Sequence, residues 1–206
     1  MGKRPGPGYF RCIQRPHVSA DEYPLNITRA ELFHPNKVDV LSRDLADSFD
    51  DFEVGDMLVS LRRLNLVFVF RPKTSKILWY RYGLTSSQHD ATFQRGYIAV
   101  FDNNPFANPG PSPRIVTLGV KAHARSVLFD LKTWGVTMRV RGNFEFDDSD
   151  LLVFADEDNW RAVAGHLSGK PMFIFENRVG PRKNFKLINI TRVSPRKVKE
   201  WSARCN

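Results

Sequence analysis

The chain has 206 residues, of which 42% are hydrophobic, and carries a formal net charge of +9 at pH 7. This composition suits one or two domains with a sizeable core. No apolar run is long enough for a transmembrane helix. The two cysteines, Cys12 and Cys205, form no disulfide framework or zinc pattern. The positive residues are scattered and accompany no recognition helix, zinc finger or RNA-binding strand motif, so we expect no nucleic-acid partner and interpret the charge as a basic surface or a pocket for an anionic substrate.

Residues 1–33 are predicted to form an irregular lead-in, because Gly and Pro are frequent there and no periodicity is visible. The segment also lacks the apolar region of a signal peptide. One short helix is predicted over 42–49, where three apolar residues share a face and Ser42 can cap the first turn. From residue 34 onward, short β-branched and aromatic runs alternate with polar turns, which is typical of strands.

These strands recur in the same order. The strand DMLVSL from residue 56 returns as GYIAVFD from 96 and as DLLVFAD from 150, and a final strand returns as TSKILWY, ARSVLFDL and SGKPMFIF. Each unit holds about four strands in about 45 residues, the size of a propeller blade. The sequence therefore predicts an all-β partial β-propeller of about three four-stranded antiparallel blades.

The expected bounds of these repeats are 34–82, 89–131 and 136–178, with a closing strand at 185–193 and a basic tail at 196–206. Three blades cannot close a ring, and an open arc has unpaired edges and uncovered apolar faces. We therefore expect either a homodimer or an N-terminal half that this chain lacks.

A series of motifs links the chain to a known family. The motifs are FHPNKVDVL at 33–41, GDMLVSLRRLNLVFVF at 55–70, TSKILW at 74–79, QHDATF at 88–93 and GYIAVFDNN at 96–104. In this order they resemble the C-terminal half of arylsulfotransferases, and the resemblance extends over roughly 30–195. It implies a six-bladed propeller that transfers a sulfuryl group from a phenolic sulfate ester to a phenol through a histidine. No cofactor, metal or nucleotide sulfate donor is implied, and the small-molecule partners would be an aryl sulfate and a phenol.

The resemblance also indicates site residues. His34 and His89 match the family's pocket histidines and are the expected catalytic residues, with both rings facing the central channel. Arg62 matches the arginine of the strand LVSxR and would bind the substrate. Arg141 and Asn143 are the substrate-binding candidates of the third repeat.

Four further polar residues are expected to act in supporting roles. Asn36 and Asp90 would fix turns or orient the imidazoles, and Asp102 with Asn103 would form a hydrogen-bonded turn.

One departure from the family pattern affects the expected activity. The family's nucleophilic histidine belongs in the third repeat, near RGNFEFDDSD, but the sequence has no histidine between His123 and His166. We therefore expect weak or absent sulfuryl transfer by this chain alone. The alternative is a non-catalytic propeller, a partial or degenerate family member, that binds an anionic ligand or a protein partner.

Overall fold

Short strands of branched and aromatic residues, separated by polar turns, form three successive antiparallel sheets. The structure, a computed structural model, describes residues 32–146, 151–180, 183–184 and 190. The lead-in expected over 1–33, apart from its last two residues, and the tail 196–206 lie outside the described residues, as do both cysteines. The expected closing strand 185–193 also lies outside them, except for Ile190.

Each of the three sheets contains four strands that are neighbours in chain order. The first sheet consists of β1 (Pro35–Val40), β2 (Met57–Leu61), β3 (Leu66–Arg71) and β4 (Lys76–Tyr82). The second consists of β5 (His89–Gln94), β6 (Tyr97–Asp102), β7 (Arg114–Leu118) and β8 (Arg125–Asp130). The third consists of β9 (Phe144–Phe146), β10 (Leu151–Asp156), β11 (Arg161–His166) and β12 (Phe173–Glu176). A separate antiparallel pair follows, formed by β13 (Arg178–Gly180) and β14 (Lys183–Asn184).

The prediction of an all-β fold with three four-stranded antiparallel blades is confirmed, and the fold is a partial β-propeller. No helix among the described residues is long and apolar enough to cross a membrane.

The helix expected over 42–49 is shorter than the sequence pattern predicts. It is the single turn α1 (Arg43–Ala46), and Ser42 makes no side-chain capping bond. The chain leaves the helix early because Phe49 turns into the core, where its ring lies 5.4 Å from that of Phe52 and 5.5 Å from that of Phe93. Aromatic packing therefore decides the conformation of this segment over local helix periodicity.

The second sheet is buried on both faces. Alternate residues along its strands point to opposite sides, so one set packs against the first sheet and the other set against the third. The residues facing the first sheet include Ile98, Val100, Val116 and Leu118. Those facing the third sheet include Ala99, Phe101 and Ile115. This double burial fixes the three sheets side by side in chain order.

The innermost strands of neighbouring sheets are also joined by side chains. The Asp39 carboxylate accepts a hydrogen bond from the backbone N–H of Phe93 at 2.9 Å, which joins β1 to β5. The Asp90 carboxylate accepts one from the backbone N–H of Phe144 at 2.7 Å, which joins β5 to β9. Each bond satisfies a backbone donor that would otherwise lie unpaired at the inner edge of a sheet.

Arg81 joins the outer parts of the first two sheets. Its guanidinium donates to the carbonyl oxygens of Gly119, Val120 and Ala122 at 2.6, 2.8 and 2.9 Å, in the connection between β7 and β8. The guanidinium also lies 4.7 Å from the centre of the Trp79 ring. Three charge-assisted hydrogen bonds and a cation–π contact therefore converge on one side chain.

We expect Arg81→Met to lower the free energy of unfolding by about 2 kcal/mol, because it removes hydrogen bonds to a charged group and leaves carbonyl oxygens unpaired. Denaturant unfolding measures this loss. The control is Arg43→Met on the exposed side of α1, which should change the free energy by less than about 0.5 kcal/mol. Equal losses in the two variants would show that Arg81 does not join the sheets.

Among the described residues, one face of the first sheet has no neighbouring blade. Val38, Val59, Phe68 and Tyr80 lie opposite one another across its four strands, and Val38 and Tyr80 are 54% and 61% exposed. Such a contiguous apolar face is a typical association surface.

We expect the purified chain to self-associate through this face, as a homodimer or as larger species. Charge on a face disfavours its burial, so Val38→Lys in β1 with Tyr80→Lys in β4 should shift the chain towards monomer in size-exclusion chromatography with light scattering. Phe106→Lys, at an exposed loop residue, should leave the mass unchanged. A monomeric wild-type chain would contradict the expectation.

Candidate functional site

The candidate site lies where, in each repeat, the start of the innermost strand meets the end of the second strand. In an antiparallel pair, the beginning of the innermost strand lies beside the end of the second strand, as shown by the pairing of Pro35 with Leu61 and of His89 with Phe101. The residue that directly follows the second strand is therefore close to the start of the innermost strand. In the three sheets that following residue is Arg62, Asn103 and Glu157.

The first two repeats place their histidines together. The ring centroids of His34 and His89 lie 6.4 Å apart, and the ring planes are nearly perpendicular at 83°. His34 has a left-handed backbone with φ of 47°, and its carbonyl accepts a hydrogen bond from the backbone N–H of Arg62 at 3.1 Å. The two predicted catalytic side chains thus lie side by side, and the backbone of Arg62 is bonded to that of His34.

Asn103 holds the ring of His89. The distance from His89 Nδ1 to Asn103 Oδ1 is 2.6 Å, and Asn103 Nδ2 donates to the carbonyl oxygen of Arg141, also at 2.6 Å. Both side chains are buried: His89 is 8% exposed and Asn103 is fully enclosed. A chain of hydrogen bonds therefore runs from the imidazole to the backbone of the third repeat.

Gly142 allows the backbone of the third repeat to come within hydrogen-bond distance of Asn103. Its φ is +129°, and a Cβ at this position would lie 2.6 Å from Cε1 of Phe101. The backbone can pass over the Phe101 ring only because glycine has no side chain and tolerates this conformation. That passage brings the Arg141 carbonyl to Asn103.

Burial lowers the pKa of His89 from 6.5 to about 4, because an enclosed imidazole loses the hydration of its charged form. The hydrogen bond to the Asn103 amide oxygen and a weaker one with the backbone of Ser87 oppose this shift, while the positive charges of Arg62 and His34 reinforce it. His89 is therefore a neutral imidazole at physiological pH.

Arg62 supplies positive charge to the pocket. Its side chain is half-buried, and within the described residues no hydrogen bond or ion pair engages its guanidinium. Burial and the neighbouring Arg63 both lower the pKa of Arg62, as expected when a cation is desolvated without an anion beside it. A group in this state attracts oxyanions.

The two remaining predicted site residues direct their side chains to other partners. The Arg141 guanidinium forms an ion pair with the buried Glu157, and Arg141 reaches the site through its backbone carbonyl. Asn143 Nδ2 donates to the carbonyl oxygen of Ile190 at 2.9 Å. The structure thus brings together His34, Arg62 and His89, with the substrate-binding roles of Arg141 and Asn143 remaining predictions.

Asn36 and Asp90 bond to neighbouring sheets. Asn36 Nδ2 donates to the Gln88 carbonyl at 2.8 Å, and Asp90 binds Lys37 at 2.8 Å as well as the backbone of Phe144. Among the described residues, no group of three or more His, Cys, Asp or Glu side chains is arranged to hold a metal ion.

A comparison against known families agrees with the resemblance that the motifs indicate. A family model described as arylsulfotransferase (ASST) matches residues 19–160. The chain belongs to the arylsulfotransferase family. The match includes the first two sheets and the residues that meet around His89. No curated protein matches the chain.

Sequence reasoning missed two residues of the candidate site. It interpreted Asn103 as half of a turn pair with Asp102, whereas Asp102 binds Arg114 and the backbone of Ser86 and Asn103 holds His89. Glu157, the partner of Arg141, was not considered. The signal that could have found both is their shared position, directly after the second strand of a repeat.

The pKa of His89 predicts a pH-dependent stability. Unfolding exposes the ring and restores a pKa near 6.5, so between about pH 6.5 and pH 4 the unfolded state binds a proton that the folded state does not. This term therefore favours unfolding by about 1.4 kcal/mol for each pH unit of acidification in that window.

Replacement of the His89 ring should remove this pH-dependent contribution to the free energy of unfolding. Urea unfolding from pH 4.5 to 7.5 should show a shallower loss of stability for His89→Gln than for wild type. His123→Gln, which changes an exposed histidine, should keep the wild-type slope. If His89→Gln keeps that slope too, His89 is not a buried neutral imidazole.

Proposed function

We propose that the pocket of His34, Arg62 and His89 binds an aryl sulfate ester and that His89 Nε2 accepts its sulfuryl group. The observation that carries the proposal is the buried neutral imidazole of His89 close to a desolvated guanidinium that has no anion among the described residues. A neutral imidazole is a nucleophile at neutral pH. Arg62 would bind the sulfate oxygens in the ground state and in the transition state.

The transfer would occur in two displacements. In the first, the lone pair of His89 Nε2 forms a bond to sulfur, the bond from sulfur to the aryl oxygen breaks, and a phenolate leaves with the electron pair. In the second, the oxygen of an acceptor phenol attacks the same sulfur and the N–S bond breaks. His34, whose ring lies 6.4 Å from that of His89, would protonate the leaving phenolate and take the proton of the acceptor phenol.

The proposed reaction should be slow. A nitrogen that binds a proton only below about pH 4 is a weak base. A less basic nitrogen is also a weaker nucleophile. The third repeat also lacks a histidine near RGNFEFDDSD, where the resemblance places the nucleophile, since none occurs between His123 and His166.

We expect slow release of 4-nitrophenol from 4-nitrophenyl sulfate with phenol as acceptor, and none above background with His89→Gln. Arg62→Met should mainly raise KM, because it removes a group that binds the ground-state sulfate as well as the transition state. The titration of His89 should add no inflection to the pH–rate profile between about pH 5.5 and 8, since His89 is already neutral throughout that range. Release that is unaffected by His89→Gln would contradict the proposal.

A second candidate function is non-catalytic binding of an anionic ligand. The absence of a histidine between His123 and His166, where the resemblance places the nucleophile, favours it. Binding of 4-nitrophenyl sulfate that Arg62→Met weakens, without any release of nitrophenol above background, would support this candidate over transfer.

A further inference from the structure

The two hydrogen bonds of Asn103 define which way its amide faces. The backbone carbonyl of Arg141 can only accept a hydrogen bond, so the group 2.6 Å from it must be the NH₂ of Asn103. The amide oxygen therefore faces His89, 2.6 Å from Nδ1. The orientation is held on both sides, because Asn103 is fully enclosed.

The orientation of this amide decides where His89 keeps its proton. An amide oxygen can only accept, so Nδ1 of His89 must carry a hydrogen, and Nε2 of the neutral ring then has a lone pair. We propose that Asn103 is a positioning residue that fixes His89 in the tautomer with Nδ1–H and so keeps the lone pair on Nε2. This inference rests on the proposed function, in which Nε2 is the atom that attacks sulfur.

The chemistry of position 103 supports this role. A carboxylate there would stabilise the imidazolium form, whereas a neutral amide orients the ring without adding a negative charge. The neighbouring carboxylate of Asp102 is directed to Arg114 at 2.9 Å and to the backbone N–H of Ser86 at 2.7 Å. The loop thus keeps its anion paired and presents only the amide to His89.

NMR of the full chain with ¹⁵N-labelled histidine tests the inference without any activity measurement. Long-range ¹H–¹⁵N spectra distinguish a protonated from an unprotonated ring nitrogen, and the His89→Gln spectrum assigns the signals of His89. The variants are Asn103→Leu, which cannot accept a hydrogen bond, and Asn103→Asp, which adds a negative charge. Asn104→Asp is the matched control, because it makes the same chemical change one residue further on, where φ is 41° and suits Asn and Asp alike.

In wild type and Asn104→Asp we expect Nδ1 protonated and Nε2 unprotonated from about pH 5.5 to 8. Asn103→Leu should shift the proton partly or wholly to Nε2. Asn103→Asp should raise the titration midpoint of His89 by about one pH unit or more, because an opposite charge beside the ring favours its charged form.

Protonation of Nε2 in the neutral wild-type ring, or an unchanged tautomer in Asn103→Leu, would overturn the inference. If Asn103→Leu does not fold, the wild-type spectrum and the Asn103→Asp titration still decide. The expected spectra together with no detectable sulfuryl transfer would support the positioning role and contradict only the proposed function.

Discussion

The structure depends on the burial of both faces of the second sheet. Ile98 and Val100 pack towards the first sheet, while Ala99 and Phe101, between and beside them in the same strand, pack towards the third. A shift of β6 by one residue would exchange the two sets and bring Ala99 into the place of a large side chain on one side. The register of the second sheet is therefore fixed from two directions, and with it the side-by-side order of the three blades.

The candidate site follows from that order. Phe101 pairs with His89 across β5 and β6, and its ring also supports the backbone at Gly142. The Phe101 side chain thus fills the core between the second and third sheets and also contacts Gly142, next to the Arg141 carbonyl that Asn103 binds. The burial that lowers the pKa of His89 is a consequence of this packing, so the chemistry of the imidazole is determined by the core beneath it.

The sequence predicts the fold and part of the site for physical reasons that can be named. Alternation of apolar residues and polar turns is a local property, which is why three sheets could be expected from the strands DMLVSL, GYIAVFD and DLLVFAD. The histidines follow from motifs that resemble a family. The hydrogen bond from Asn103 to Arg141 joins residues 38 positions apart in different repeats, and no periodicity describes such a contact. The helix over 42–49 was overestimated for a related reason, since the ring of Phe49 packs on residues that local propensity does not include.

The residues that follow the second strands, Arg62, Asn103 and Glu157, share a position but differ in charge. This difference determines where positive charge lies in the candidate site. Glu157 forms an ion pair with Arg141, so positive charge in the third repeat is compensated. Asn103 is neutral, and its amide oxygen accepts a hydrogen bond from Nδ1 of His89. Arg62, which has no anionic partner among the described residues, therefore places the uncompensated positive charge of the pocket at the end of the first sheet. In the proposed function, the anionic group of the substrate would bind there, beside Arg62 and the rings of His34 and His89.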